Sequence, residues 1–494
     1  MYKLTKHSNF NSGCGVGVIL FAFFTGDVAA AVKMTVNTPL SFEQTIRIAQ
    51  KNDPWLTGNI HKQNALESMS IAVNTLPDPK VSISVANLPV NGFDFGQEGM
   101  TQAKVGISQM FPRGDTLEIK SQQLKTQSEA YPYQRKDRKS KVAVIVGTLW
   151  LDAYRVEQSI ALIERNRALF EQLGNVAEAS YSSAVGKTRQ QDIVRAQLEL
   201  TRLEDRLDIL GQQKNRFKGM LSQWLTTFSD EKMSHNNTFL ESDFTLHNID
   251  LSQSLPLIDL VNTRLVLDDK WLKPMELIKY FSNHPSLIAI ETKVSAFKTG
   301  IKLAKQKYEP EWGVNASYGY RADDSFGSSR ADLFSVGVTF DLPLFTESRQ
   351  DKEVQSAISE TEAVKTEKLL LLRQLLGSYT SAKGRLLRLI DRKIRYKTKL
   401  LPQMHDQAEA SLTAYTNDDG DFSDVVRARI SVLNAEIDEL TLNVEEQKIR
   451  LELNYLFVGS FTASTSQMKP IKPNKSKEVN SNQSAAVLGE NNEH

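Results

Sequence analysis

Asp418, Asp419, Asp421 and Asp424 crowd one short stretch of the chain. If copies of the chain met around an axis there, these carboxylates would form an acidic ring. Such a ring favours cations and strains a closed mouth by repulsion. The plainer alternative is a solvated turn, in which Asp is common. His405 and Glu409 share a helical face at i, i+4, as two ligands of a metal would. Two ligands make no site, so structural polarity is the expected role. Gly13, Gly15 and Gly17 imitate a phosphate loop only superficially, because they lie in an apolar leader. There is no P-loop, no zinc-protease HExxH and no GxSxG elbow. The expectation is a protein that is not an enzyme and uses no cofactor or metal.

Composition narrows the class. The chain has 494 residues, with 60 Lys+Arg against 59 Asp+Glu and a formal charge of +1, which speaks against a nucleic-acid binder. One Cys excludes a disulfide scaffold and a thiolate metal cluster. Residues 1–31 read as a secretory signal peptide: Lys3 and Lys6, an apolar core from Val16 to Phe24, then small residues at 29–31. A membrane anchor is the weaker alternative, since the core is too short to cross a bilayer. Cys14 precedes that core, whereas a lipid-modified Cys would follow it. Beyond the leader no apolar run reaches the roughly 18 residues of a membrane helix. An exported protein is expected.

The elements that would hold the aspartates come in two copies. At an offset of 231, Asn52 and Pro54 fall on Asn283 and Pro285, Pro79 on Pro310, and Pro112 on Pro343. Val105-Gly106 fall on Val336-Gly337, and Glu178-Ala179-Ser180 on Glu409-Ala410-Ser411. Segment 52–112 has five prolines, and all three prolines of 283–343 land on one of them. Each copy reads helix, two strands, very long helix, turn, helix. The first helix spans 41–75, opened by a capping box at Ser41 and Gln44. The expected layout is a signal peptide at 1–31, a first repeat at 32–228 with strands near 80–88 and 103–111, and a linker at 229–273. A second repeat follows at 274–459 with strands near 311–320 and 333–342, and a disordered tail at 460–494.

The strands have unusual faces. Trp312, Val314, Ala316, Tyr318 and Tyr320 alternate with Gly313, Asn315, Ser317 and Gly319; Phe334, Val336, Val338, Phe340 and Leu342 alternate with Ser335, Gly337, Thr339 and Asp341. A small sheet packed on helices is one reading. Strands of about ten residues with aromatics on the apolar face and small polar residues opposite fit an outer-membrane barrel better. Four strands cannot close a barrel, and open edges in lipid leave backbone groups unpaired. Strands must then be pooled between copies. Pro112 and Pro343, just after the second strand of each copy, mark strand-to-helix junctions where a helix can start.

From Arg113 to Val176 a helical pattern would extend roughly 96 Å. Pro132 interrupts it without a counterpart in the second copy (Ala363 matches it), so a kink or delayed start is expected there. Val142, Val146, Leu149, Ala153, Val156, Ile160 and Ile163 form a coiled-coil seam. It is repeated at Ile193, Ala196, Leu200, Leu203, Leu207 and Leu210, and at Val426, Ile430, Leu433, Ile437, Leu440 and Val444.

Taken in order, these features resemble the TolC family of outer-membrane efflux proteins over about residues 40–459. The stretches that carry the likeness are Val105-Gly-Ile-Ser-Gln-Met-Phe-Pro112 with Arg113-Gly114, Val336-Gly-Val-Thr-Phe-Asp-Leu-Pro343, and Leu400-Leu401-Pro402-Gln403 with Ala408. Val185-Gly186 leading to Asp192-Ile193-Val194, and Tyr415 leading to Asp424-Val425-Val426, resemble the family's two tip turns. Asp418 departs from the pattern by standing where the second turn often has Gly. The resemblance implies an α plus transmembrane β fold, in which each protomer gives four strands to a shared trimeric twelve-stranded barrel continued by a helical coiled-coil periplasmic tunnel. It implies a homotrimer in the outer membrane, in contact with its lipid and docked to a periplasmic adaptor and an inner-membrane pump. The RND type of pump is preferred over ABC, and no nucleic acid is involved. Val185 and Gly186 match the place where family adaptors dock, and Asp418, Asp419 and Asp421 stand where a tip gate or selectivity ring would be. The leading function is a passive exit duct for tripartite efflux of small molecules. A duct for type I protein secretion and a soluble periplasmic coiled-coil scaffold are the alternatives, and metal-ion export has little support.

Overall fold

The computed structural model describes residues 39–182, 189–226, 249–268, 270–417 and 419–459. The expected leader with Cys14, the tail, residues 227–248 (the end of the first repeat and the first part of the expected linker), and the sites expected at Val185, Gly186 and Asp418 lie outside them.

The first half opens with α1 (Phe42–Asn52), whose capping box forms as expected: Ser41 Oγ accepts the Gln44 N–H at 3.2 Å and Gln44 Oε1 accepts the Ser41 N–H at 3.1 Å. The single helix expected over 41–75 is two. Pro54 holds Asp53 extended (φ −71°, ψ 106°), and the Asp53 carboxylate caps the Trp55 N–H at 3.1 Å, starting α2 (Pro54–Ala72). Then come β1 (Lys80–Ala86), β2 (Gln102–Phe111), α3 (Thr116–Ser128), α4 (Tyr131–Ser182) and α5 (Gln190–Leu225). Pro132 is the second residue of α4, so the long pattern breaks and restarts at 129–131, where a proline is tolerated. Even so, α4 has 52 residues, about 78 Å.

The second half repeats the plan. Short helices α6 (Thr263–Leu267) and α7 (Pro274–Phe281) precede α8 (Pro285–Lys305), which starts as α2 does, with capping residue His284 before a proline. A 3₁₀ turn leads to β3 (Trp312–Tyr320) and β4 (Leu333–Phe340). Then α9 (Gln350–Arg395), a π turn (Tyr396–Leu400) and α10 (Leu401–Thr416) run on without a break, followed by α11 (Phe422–Leu456). The π turn lies just before Pro402. A proline removes one hydrogen bond and clashes with the carbonyl four residues back, and a widened turn relieves both. The helices start four and seven residues beyond Pro112 and Pro343, so these prolines end the strands rather than open the helices.

The helices pack along the expected seams. Val142, Val146, Leu149, Ala153, Val156 and Ile163 of α4 are all buried, as are Ala196, Leu203 and Leu210 of α5 and Val426, Leu433, Ile437 and Val444 of α11. One apolar cluster joins α4, α5 and α11 along the hairpins, from Val156 and Ile163 to Phe422 and Val425. A second gathers α1 and the strand-like segment at 249–251 on α4. There Trp150 is fully buried, stacks on Tyr154 at 5.5 Å and donates Nε1–H to the Leu40 carbonyl at 3.2 Å. A third packs α6 and α7 on α9.

Candidate functional site

The four strands form one antiparallel sheet in the order β1-β2-β3-β4. Its register gathers most of the apolar residues in rows on one face and most of the small polar ones on the other. Val81, Ile107, Ala316 and Val336 form one row; Ile83, Val105, Tyr318 and Phe334 form the next; Phe111, Trp312 and Phe340 form the row nearest the helices. On the other face Ser82, Gly106, Ser317 and Ser335 make a row, as do Met110, Gly313 and Thr339. Period-two alternation within each strand has become two surfaces, one mainly apolar but broken by Gln109, the other mainly small and polar but including Lys104, Met110 and Leu333.

The apolar face is open to its surroundings, and on the opposite face most of the small residues of the inner strands are buried while Ser82, Asn315, Ser335 and Thr339 are exposed. Ile83 is 82% exposed, Phe334 72% and Trp312 44%, whereas Gly313, Ser317 and Gly319 on the opposite side of β3 are buried. The polar face is the crowded one. A Cβ on Gly313 would lie 2.6 Å from Thr339 Oγ1 and 2.7 Å from Met110 Sδ, so a larger residue there would have to push these side chains aside. β1 and β4 each have a neighbour on one side only. An apolar face of this kind suits hydrocarbon, and the open backbone on both edges can pair only with further strands. Among the described residues no helix is long and apolar enough to cross a membrane.

The junction beneath the sheet ties the two halves together. Arg113, beside Pro112, forms an ion pair with Asp341, two residues before Pro343, and donates to the carbonyls of Lys307 and Glu309 at 3.0 and 3.2 Å. Asp341 also accepts the Glu311 N–H at 2.6 Å. Gly114 follows at φ +42°, where a Cβ would fall 2.2 Å from Gln306 Oε1. Sequence reasoning singled out the two prolines and passed over this pair, whose partners are 228 residues apart.

At the other end, the turn between α10 and α11 holds Asp419 and Asp421, both exposed. Asp421 occupies the N-cap of α11 without a side-chain capping bond. Asp424 turns away to Arg427 at 3.0 Å. Beneath them Tyr415 meets Phe422 edge-on at 5.5 Å, and Phe422, Val425 and Val426 bury against Leu173, Ala177 and Ala196. Asp192 holds the equivalent place in α5 but is buried, and its carboxylate accepts the Arg189 N–H at 3.0 Å. His405 and Glu409 go to separate partners, His405 lying 3.8 Å from Glu436 and Glu409 2.7 Å from Arg429. No group of three or more metal-ligating side chains occurs among the described residues.

Two buried polar groups that sequence reasoning missed lock the midsection. Lys383 is fully buried on α9, donating to the carbonyls of Leu265 and Lys270 at 3.1 and 3.0 Å beneath the Trp271 ring. His284 is also fully buried; it shares a hydrogen bond with Ser286 Oγ at 2.7 Å and one with the Tyr455 carbonyl at 3.1 Å. The Tyr455 hydroxyl donates to Asp137 on α4 at 2.8 Å. Burial pushes the His284 imidazole below its ordinary pKa, against the upward pull of Asp137 and the Tyr455 carbonyl. Burial and then Asp137 raise the Tyr455 phenol.

No protein-family model and no curated protein sequence matches the chain. Solved structures do match. The Campylobacter jejuni CmeC outer membrane channel superposes with a TM-score of 0.64 at 12% identity, over 85% of this chain and 86% of that one. The outer membrane protein VceC of Vibrio cholerae gives 0.61 at 13% identity, over 85% and 96%. The open state of the Neisseria gonorrhoeae MtrE outer membrane channel gives 0.60 at 13% identity, over 85% and 89%. With its duplicated helix–strand–strand–hairpin plan, the chain has the fold of the TolC-family outer-membrane channels.

Proposed function

We propose that this protein is the outer-membrane exit duct of a tripartite efflux system, passively conducting small molecules outward through a helical extension that crosses the periplasm. The observation that carries the reading is the open apolar face of the sheet, with Ile83, Trp312 and Phe334 exposed together across its strands. The likeness to channel structures supports it. Three copies would supply twelve strands, enough for an open bore. The helices carry the duct inward to a periplasmic adaptor and an inner-membrane pump, with the RND type preferred to ABC. On this reading the aspartates at 418, 419 and 421 line the tip, and the turn at Val185 and Gly186 receives the adaptor. A soluble scaffold is disfavoured, because it would leave the whole apolar face in water.

Membrane fractionation followed by mass measurement of the detergent-extracted protein tests the proposal. The expected result is outer-membrane localisation and a mass of three chains. A processed protein that stays monomeric and soluble without detergent overturns it.

A further inference from the structure

Residues 383–399, the last part of α9 and the π turn after it, hold eight Lys and Arg against one acid, Asp391, in a chain whose charges otherwise balance. Where α9 packs on α11 these cations are matched. Arg385 pairs with Glu452 and Lys393 with Glu446, and Leu386 and Leu389 are buried. The solvent-facing side is not matched. Arg388, Arg392, Arg395 and Lys399 follow at steps of four, three and four, so they stand in one row along the helix, and all four are exposed. Arg388 has Asp391 at 3.6 Å and is still 87% exposed. The side chains of Arg392, Arg395 and Lys399 have no hydrogen-bond or ion-pair partner among the described residues. The row is about 16 Å long.

An aromatic ring continues the row. Gly384 lies one turn before Arg388 on the same face, and a Cβ there would be 3.8 Å from the Trp271 ring. The same ring lies 5.0 Å from Lys383 Nζ, yet Trp271 is 49% exposed. The indole is therefore held in place by α9 and half open to solvent. Its negative ring face suits the C–H groups of a sugar ring, and guanidinium groups take carboxylates in bidentate pairs. A protein partner would need an apolar centre within an interface of about 800 Å² per side. Between Gly384 and Lys399 only Ile394 adds an exposed large apolar side chain to Trp271. A lipid headgroup is out of reach, because Arg388 stands 38 residues into α9, about 57 Å from the end nearest the sheet.

The geometry points to a docking face for an acidic glycan, with sugar rings on Trp271 and carboxylates along Arg388, Arg392, Arg395 and Lys399. On the proposed function this part of the helices stands in the periplasm, and the acidic glycan they must pass is the cell-wall peptidoglycan, whose sugar strands bear short peptides with free carboxylates. The choice of polymer rests on that reading; the pairing of ring and cations does not. Each contact is weak alone, and a polymer that makes several at once gains by avidity.

Co-sedimentation of the full chain in detergent with purified peptidoglycan sacculi tests the proposal. The wild type is expected to pellet with the sacculi, less so as salt is raised, and not with sacculi whose carboxylates have been amidated. R388Q/R392Q/R395Q/K399Q is expected to weaken binding about tenfold and W271A severalfold. R47Q/K51Q/K62Q/K298Q, which removes four exposed cations elsewhere, is expected to bind like the wild type. If the first quadruple variant fails to assemble, R392Q/R395Q carries the test. No pelleting, or equal loss in both quadruple variants, overturns the proposal. So does displacement from sacculi by poly-L-glutamate together with unchanged binding by W271A, which would make the row a site for an acidic polypeptide. Flotation of the same preparation with lipid vesicles keeps the two readings apart: pelleting without flotation breaks the membrane reading alone, and flotation without pelleting breaks this docking face alone.

Discussion

His284 shows what one buried polar side chain does in a molecule built mainly of apolar seams. It caps α8 and reaches the C-terminal turn of α11 through the Tyr455 carbonyl, while Tyr455 reaches α4 through Asp137. Its folded pKa lies below the ordinary value of 6.5. The unfolded chain therefore binds more protons than the folded one between those two values. Stability from this group is complete above pH 6.5 and is lost as pH falls from there to the lowered folded value. Urea denaturation at pH 7.5 and 5.5 is expected to show a loss in the wild type that H284Q lacks, apart from whatever both proteins share. An equal slope in both would remove His284 from the account. In the turn between α10 and α11, Asp419 and Asp421 are exposed and Asp424 is paired to Arg427, so on the proposed reading the first two set the field of a pore mouth. In planar-bilayer recordings D419N/D421N is expected to lower the preference for cations, and D424N to change it less. Unchanged ion selectivity in the double variant would reduce these residues to turn formers.

At the scale of elements, much of the architecture was legible in the sequence. The helical seams were readable because their period decides which side chains meet: Val142, Val146 and Leu433 are buried where the spacing put them. The strands were readable because alternation sorted Trp312 and Tyr318 from Gly313 and Ser317. Breaks were harder. The split at Asp53 was written as Asp followed by Pro, a cap before a first-turn proline, yet the apolar pattern ran across it. The π turn before Pro402 depends on how a continuous helix absorbs one missing donor, which spacing does not encode. The midsection locks were invisible, because His284 and Tyr455 are 171 residues apart and Tyr455 and Asp137 are 318 apart. The sheet supplies the sharpest test at this scale. Ile83 is the most exposed residue of its row, and a lysine on a lipid-facing strand costs about 2–4 kcal/mol at the midplane and about 0–1 near an interface. I83K is expected to reduce outer-membrane assembly sharply, while S82K on the polar face of the same strand leaves it less affected. Equal assembly of the two variants would mean that the apolar face does not meet lipid.

For the molecule as a whole, the open edges of β1 and β4 decide the assembly. A sheet with the order β1-β2-β3-β4 can become edgeless only if β4 of one copy pairs with β1 of the next, a head-to-tail contact that must close into a ring. The sequence contains one Cys, Cys14, so in a C14S background engineered cysteines report without interference. Ser82 of β1 and Ser335, Gly337 and Thr339 of β4 all face the polar side, and any disulfide between them would have to span two copies, since β2 and β3 separate these strands within one. S82C combined in turn with S335C, G337C and T339C is expected to yield one pair that oxidises efficiently, because register lets only near-opposite residues reach the Cα separation of about 4.4–6.8 Å that a disulfide requires. On a denaturing gel that pair should give dimers and trimers and stop at three. A ladder that stops at two would make an eight-stranded barrel filled by its own side chains, leaving no bore. A ladder that passes three would mean that the contact does not close at three copies, and absence of any cross-link with all three partners would mean that the edges are covered by something other than a sister strand.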